Sequence, residues 1–87
     1  MVFVSVHTIS PENRNAAQDR FKKTGGAPPK GAKIIGRWHS VEGRRGVTIF
    51  ECDDAQAMAQ WGQQWTDLIS FETYPAIDDA GFSKILS

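Results

Sequence analysis

Two histidines, His7 and His39, are the side chains of this 87-residue chain whose ordinary titration range lies near neutral pH. A general base needs such a group fixed beside its substrate, within hydrogen-bond reach of the proton it takes. His7 is the first candidate and His39 the second, with Arg37, Tyr74 or Ser5 available to hold a polar oxygen of the same ligand. Each has a plainer reading as well: a packed or solvated histidine, a solvated arginine, a tyrosine at a sheet edge. Trp38 and Glu51 form a second candidate pair, a carboxylate for a polar group beside an indole for an apolar body. Its plainer reading is a tryptophan packed under a helix and a glutamate exposed at a strand end.

Other chemistries find less support. No His-x-x-x-His or similar local ligand pair is present, and Glu51 and Cys52, adjacent on a strand, point to opposite faces. The reading therefore assigns no metal and no cofactor, and leaves catalytic residues unassigned. The segment from Gly26 to Lys33 is superficially like a phosphate loop, but Ala32 precedes the lysine and no Ser or Thr follows it. Cys52 is the sole cysteine, which rules out an internal disulfide and reads as a small buried strand residue. Trp61 and Trp65, four apart, share one side of a helix and belong with core packing.

Charge narrows the partners. Ten Lys plus Arg balance ten Asp plus Glu, and the basic residues are scattered, so neither nucleic acid nor an anionic membrane surface is expected as a partner. No apolar run approaches the ~20 residues that span a bilayer. The segment Met1 to His7 lacks the basic region and continuous apolar core of a secretion signal. A cytoplasmic setting follows as the expectation.

Behind these residues stand the elements that must position them. Val2 to Thr8 alternates, with Val2, Val4 and Val6 on the face expected to meet the core and Phe3, Ser5 and His7 on the other. Ser10-Pro11 starts a helix to about Lys23, with Ser10 as cap, and Gly25-Gly26 with Pro28-Pro29 ends it. Ala32 to Val41 and Gly46 to Cys52 read as a hairpin turning at Gly43-Arg44-Arg45-Gly46. Counting from that turn opposes Arg37 to Cys52, Trp38 to Glu51 and His39 to Phe50, a register that a single bulge would break. Asp53-Asp54 caps a second helix with an apolar stripe of Met58, Trp61, Trp65, Leu68 and Ile69. Phe71 to Ile77 forms a last strand, and Pro75 within it requires a sheet edge. Asp78 to Ser87 is a tail with room for a short helix.

The order strand, helix, strand, strand, helix, strand over residues 1–87 predicts one α+β domain of ferredoxin-like type, with four antiparallel strands ordered four, one, three, two and two helices on one face. The ordered set Phe3-Val4-Ser5-Val6-His7-Thr8, Pro11-Glu12-Asn13-Arg14, Trp38, Glu51-Cys52-Asp53-Asp54, Trp61, Trp65-Thr66-Asp67-Leu68 and Phe71-Glu72 with Pro75 resembles the bacterial DUF3303 family of uncharacterised proteins. That resemblance implies a dimeric α/β barrel in which two sheets face each other, and it implies no activity. A homodimer is expected also from the sheet face opposite the helices, where Phe3, Ile35, Phe50 and Phe71 would need cover. The pocket is then expected between the two sheets, edged by His7, Arg37, Trp38, His39, Glu51 and Tyr74, with a small apolar or aromatic ligand. Two functions compete: a small-molecule-binding or accessory protein, and a cofactor-independent enzyme of monooxygenase or isomerase type with His7 as base.

Overall fold

The computed structural model describes residues 1–87. Strand β1 (Val2–Ile9) leads through a 3-10 turn (Pro11–Asn13) into helix α1 (Arg14–Thr24). Strands β2 (Ala32–His39) and β3 (Arg45–Cys52) follow, then helix α2 (Ala55–Gln63), strand β4 (Ile69–Ala76) and helix α3 (Asp79–Leu86). The sheet is antiparallel with the order β2-β3-β1-β4. Pro75 thus lies in an edge strand, where its missing N–H breaks no ladder.

Local chemistry sets the boundaries. The Asp54 carboxylate accepts from the N–H groups of Gln56 at 2.9 Å and Ala57 at 3.3 Å, which fixes the start of α2. Ser10 occupies the corresponding place before the 3-10 turn but makes no side-chain cap; its carbonyl accepts from Asn13 instead. α1 ends at Gly25, which takes the left-handed conformation and donates to the Phe21 carbonyl at 2.7 Å. α2 is shorter than its apolar stripe suggests. The chain turns after Gln63, yet Trp65 stays buried and Ile69 already begins β4.

The core lies between the sheet and the helices. Phe50 is fully buried, opposite Phe3 and edge-on to Trp61 at 5.0 Å, with Met58, Trp65 and Cys52 around them. This reverses the expected facing of β1. Phe3, Ser5, His7 and Ile9 meet the helices, while Val2, Val4 and Val6 lie on the open face. Alternation specifies that two faces differ and does not say which one is covered. Here the aromatic pair Phe3 and Phe50 packs with Met58 and Trp61 of α2, and the valines make the outer surface. Phe3, Phe50 and Phe71 therefore belong to the core side and not to the open face.

The hairpin register also differs from the count. The chain turns at Ser40–Arg44, so Arg37 opposes Thr48, Trp38 opposes Val47 and His39 opposes Gly46. The Ser40 hydroxyl and the N–H of Ser40 bond to Arg45, closing the turn earlier than two flanking glycines suggest. A bulge at Ile35, between the pairs Ile34–Phe50 and Gly36–Ile49, then shifts the second half of β2 by one residue.

Candidate functional site

That bulge decides which side chains of β2 reach the helix side. Ile34 faces the core with Phe50, and two-residue alternation without a bulge would send Gly36 and Trp38 the same way. The extra residue sends Arg37 and His39 there instead and turns Trp38 outward, 60% exposed.

Two rows of side chains then cross the sheet beneath the helices. The first runs Arg37, Thr48, Ser5, Thr73 across β2, β3, β1 and β4. It is polar and largely self-satisfied: Arg37 Nε lies 3.4 Å from Thr48 Oγ1, and Ser5 Oγ lies 2.9 Å from Thr73 Oγ1. The second runs His39, Gly46, His7, Phe71. Gly46 has no side chain, so the two imidazoles lean over it to a ring separation of 6.0 Å. Phe71 flanks His7 at 6.2 Å, and Phe21 of α1 stands edge-on to His39 at 5.5 Å.

Above these rows lies a cavity of about 340 Å³, roofed by Ala17, Gln18, Phe21 and Lys22 of α1 and walled by Trp61, Trp65 and Phe71. Its floor is His7, Arg37, His39 and Thr48. The roof is tied down from outside the cavity. Arg20 of α1 makes a two-pronged ion pair with Asp67, 2.8 Å on each arm, donates to the Gln64 carbonyl at 2.8 Å and lies over the Trp65 ring. The indole N–H of Trp61 donates to the Ala27 carbonyl at 3.2 Å, which orients that ring toward the cavity wall.

Electrostatics on the floor are one-sided. Burial, then the charges of His39 and Arg37, push the His7 pKa below the ordinary histidine value, so His7 is neutral at pH 7 with a nitrogen free to accept. Arg37 donates to the Gly26 carbonyl at 2.5 Å and lies over the Phe21 ring at 5.3 Å. None of its partners is a carboxylate.

The structure thus brings His7, Arg37 and His39 together and sets the other three candidates apart. Trp38 and Tyr74 lie on the open face, and Glu51, on that face too, bonds the Met1 amino group at 2.6 Å. The Trp38–Glu51 pair does not form, because the true register opposes Trp38 to Val47. His7 and His39 share the helix face, not the outer one, and the cavity they line lies between the sheet and helices of one chain. Sequence reading missed Phe21, Lys22 and Gln18 of α1 as lining residues. Phe21 carried a signal: it is the one large apolar residue on an otherwise thin helix stripe. No group of three or more His, Cys, Asp or Glu side chains stands close enough to share a metal ion. No helix is long and apolar enough to cross a membrane.

Strand order, connection order and the packing of α1 and α2 on one face define a ferredoxin-like α+β fold. Solved structures share the fold, two among them over about nine-tenths of this chain. One is Rv0793 from Mycobacterium tuberculosis, at 16% identity and a TM-score of 0.54, with 91% of this chain and 97% of that one covered. The other is a Deinococcus radiodurans protein provisionally assigned as an antibiotic biosynthesis monooxygenase, at 13% identity and a TM-score of 0.51, with 90% and 94% covered. No curated protein matches the sequence. The model of DUF3303, a domain of unknown function, matches residues 1–87, and the chain belongs to that family.

Proposed function

We propose that this chain is a small-molecule-binding protein that takes a flat, ring-bearing ligand into the cavity between its sheet and α1–α2. The observation that carries this reading is the convergence of His7, Arg37 and His39 on one floor beneath walls made of Phe21, Trp61 and Phe71. Apolar walls with a few fixed polar groups are how ligand sites combine affinity with orientation. A cavity of about 150 Å³ holds benzene. One of about 340 Å³ suits a ligand of roughly two fused rings. Native mass spectrometry of freshly purified protein tests the reading: a defined added mass, lost in a Trp61→Ala, Phe71→Ala double variant that remains folded, supports it. Bare protein that also fails to bind a panel of two-ring aromatics counts against it.

The binding protein works as a homodimer joined through the open sheet face. Val4, Val6, Val47, Ile49, Trp38 and Tyr74 lie there without a covering layer. α3 has no buried residue, and its Phe82, Ile85 and Leu86 are more than half exposed. The chain exposes 6016 Å², against about 5,100 Å² for a typical folded monomer of this mass. The surplus approximates the ~800 Å² that each partner of a standard interface buries.

A catalytic version of the same site has one specific observation in its favour, the neutral His7 within the cavity. It would serve as general base toward an acidic C–H or O–H of the bound ring, as in a monooxygenase- or isomerase-type reaction. His7→Gln separates the readings, since it abolishes turnover in an enzyme and leaves a binding protein's occupancy largely intact.

A further inference from the structure

We infer that the ligand of this cavity is a planar organic anion, an aromatic carboxylate or phenolate whose acidic group sits between Arg37 and the His7–His39 pair. The inference rests on the binding reading above and specifies its chemistry. Fifteen residues line the cavity, and every ionisable one among them is a base: His7, Lys22, Arg37 and His39. In a chain whose charges balance ten to ten, a lining without one carboxylate is a local segregation of charge.

Arg37 makes the sharpest case. Its guanidinium is partly withdrawn from water, yet its partners are a backbone carbonyl, a hydroxyl and a ring face. The ion pairs of the chain go elsewhere, to the amino terminus, Arg20 and Arg45. A half-buried cation without a counter-ion gives up hydration for partners of modest strength, and an incoming anion offsets that loss. The bond to Gly26 and the Thr48 hydroxyl hold the guanidinium in place before the ligand arrives, so little ordering is left for binding. Phe21, Phe71 and Trp61 then enclose the ring from three sides. Lys22, the exposed lysine of the lining, leaves the approach positive.

The test uses two probes of one shape: 2-naphthoate, charged at pH 7, and 2-naphthamide, neutral. Binding to the full chain is followed by quenching of tryptophan emission and by titration calorimetry. The acid is expected to bind at least about tenfold tighter than the amide, the margin of a charge-assisted hydrogen bond. Arg37→Gln should collapse that margin to less than about threefold while amide affinity holds, and Arg37→Lys, which keeps the charge but loses the planar fork and the ring contact, should retain only part of it. Equal affinities in the unmodified protein, or a tighter amide, overturn the inference and leave the pocket standing. Binding of neither probe to protein with native circular dichroism overturns the pocket and the inference together. If Arg37→Gln fails to fold, the acid-to-amide ratio of the unmodified protein decides alone.

Discussion

The imidazoles of His7 and His39 lie 6.0 Å apart although a whole strand separates their backbones, and Gly46 of that strand is the reason. Two strand spacings put the backbones about 10 Å apart, so each ring must lean inward over the intervening residue. A Cβ on Gly46 would meet His7 Cε1 at 2.5 Å and the Trp38 carbonyl oxygen at 2.6 Å. The carbonyl cannot rotate away, since it belongs to the neighbouring strand. Gly46→Ala is therefore expected to cost about 1–3 kcal/mol by overpacking. It should also drive the rings apart. Urea unfolding measures the first effect, and loss of the magnetisation transfer between the two imidazoles in NMR measures the second.

Removal of Ile35 should straighten β2 and leave its facings in place. The deletion takes out the unpaired residue, so Ile34 stays opposite Phe50, Gly36 opposite Ile49 and Arg37 opposite Thr48. Tryptophan emission should hold its maximum as Trp38 stays on the open face, and 2-naphthoate affinity should stay within about threefold. A blue shift together with a loss of affinity of about tenfold or more would mean that the strand slips by one residue and that its register depends on Ile35.

This residue also marks how far the sequence could be read. Strand and helix order, the edge position of Pro75 and the Asp54 cap follow from local rules that act on neighbours, and all are present in the structure. Which face of β1 is covered does not follow from such rules, because alternation is symmetric until packing chooses a side. The hairpin register departs from the count for a similar reason. Gly43 and Gly46 mark a turn convincingly, but Gly43 serves the turn while Gly46 serves the histidine row. Of the six candidate site residues, His7, Arg37 and His39 meet in one cavity, and one inserted residue on β2 exchanged Trp38 for its neighbours. A bulge leaves no clear signature in Ile34-Ile35-Gly36 beyond the glycine itself.

Acid should weaken the fold through His7. Its pKa is lowered in the folded chain by burial and by the charges of His39 and Arg37, so below pH 6.5 the unfolded chain binds more protons at this position. Stability then falls as pH drops from 6.5 through the lowered value and recovers as pH rises again. The groups facing His7 are bases from β2 and, at the cavity mouth, Lys22 of α1; β4 and α2 offer Phe71 and Trp61, which do not titrate in this range. His7→Phe should flatten the slope of Tm between pH 5 and 7 relative to the unmodified protein. A steeper slope in the variant would contradict the direction of the shift.

A charge on the open face should separate the proposed dimer. Val47 and Ile49 lie at the middle of that face, opposite Val6 and Val4 of β1, and away from the helix-side core. Val47→Lys and Ile49→Lys should each convert a dimer in sedimentation velocity into a monomer with native circular dichroism. Their cost to monomer folding should stay within about 1 kcal/mol, since each replaces a partly exposed strand residue. Dimers that survive both changes would place the interface elsewhere.

The three indole N–H signals offer the most direct test of a ligand cavity on the helix side of the sheet. Trp61 and Trp65 line it, and Trp38 lies on the opposite face. In a proton–nitrogen NMR titration with 2-naphthoate, with signals assigned through the Trp38→Phe variant, the Trp61 and Trp65 indoles should shift together and saturate while Trp38 stays in place. Movement of Trp38 alone, with Trp61 and Trp65 unmoved, would put the ligand on the open face and contradict the account.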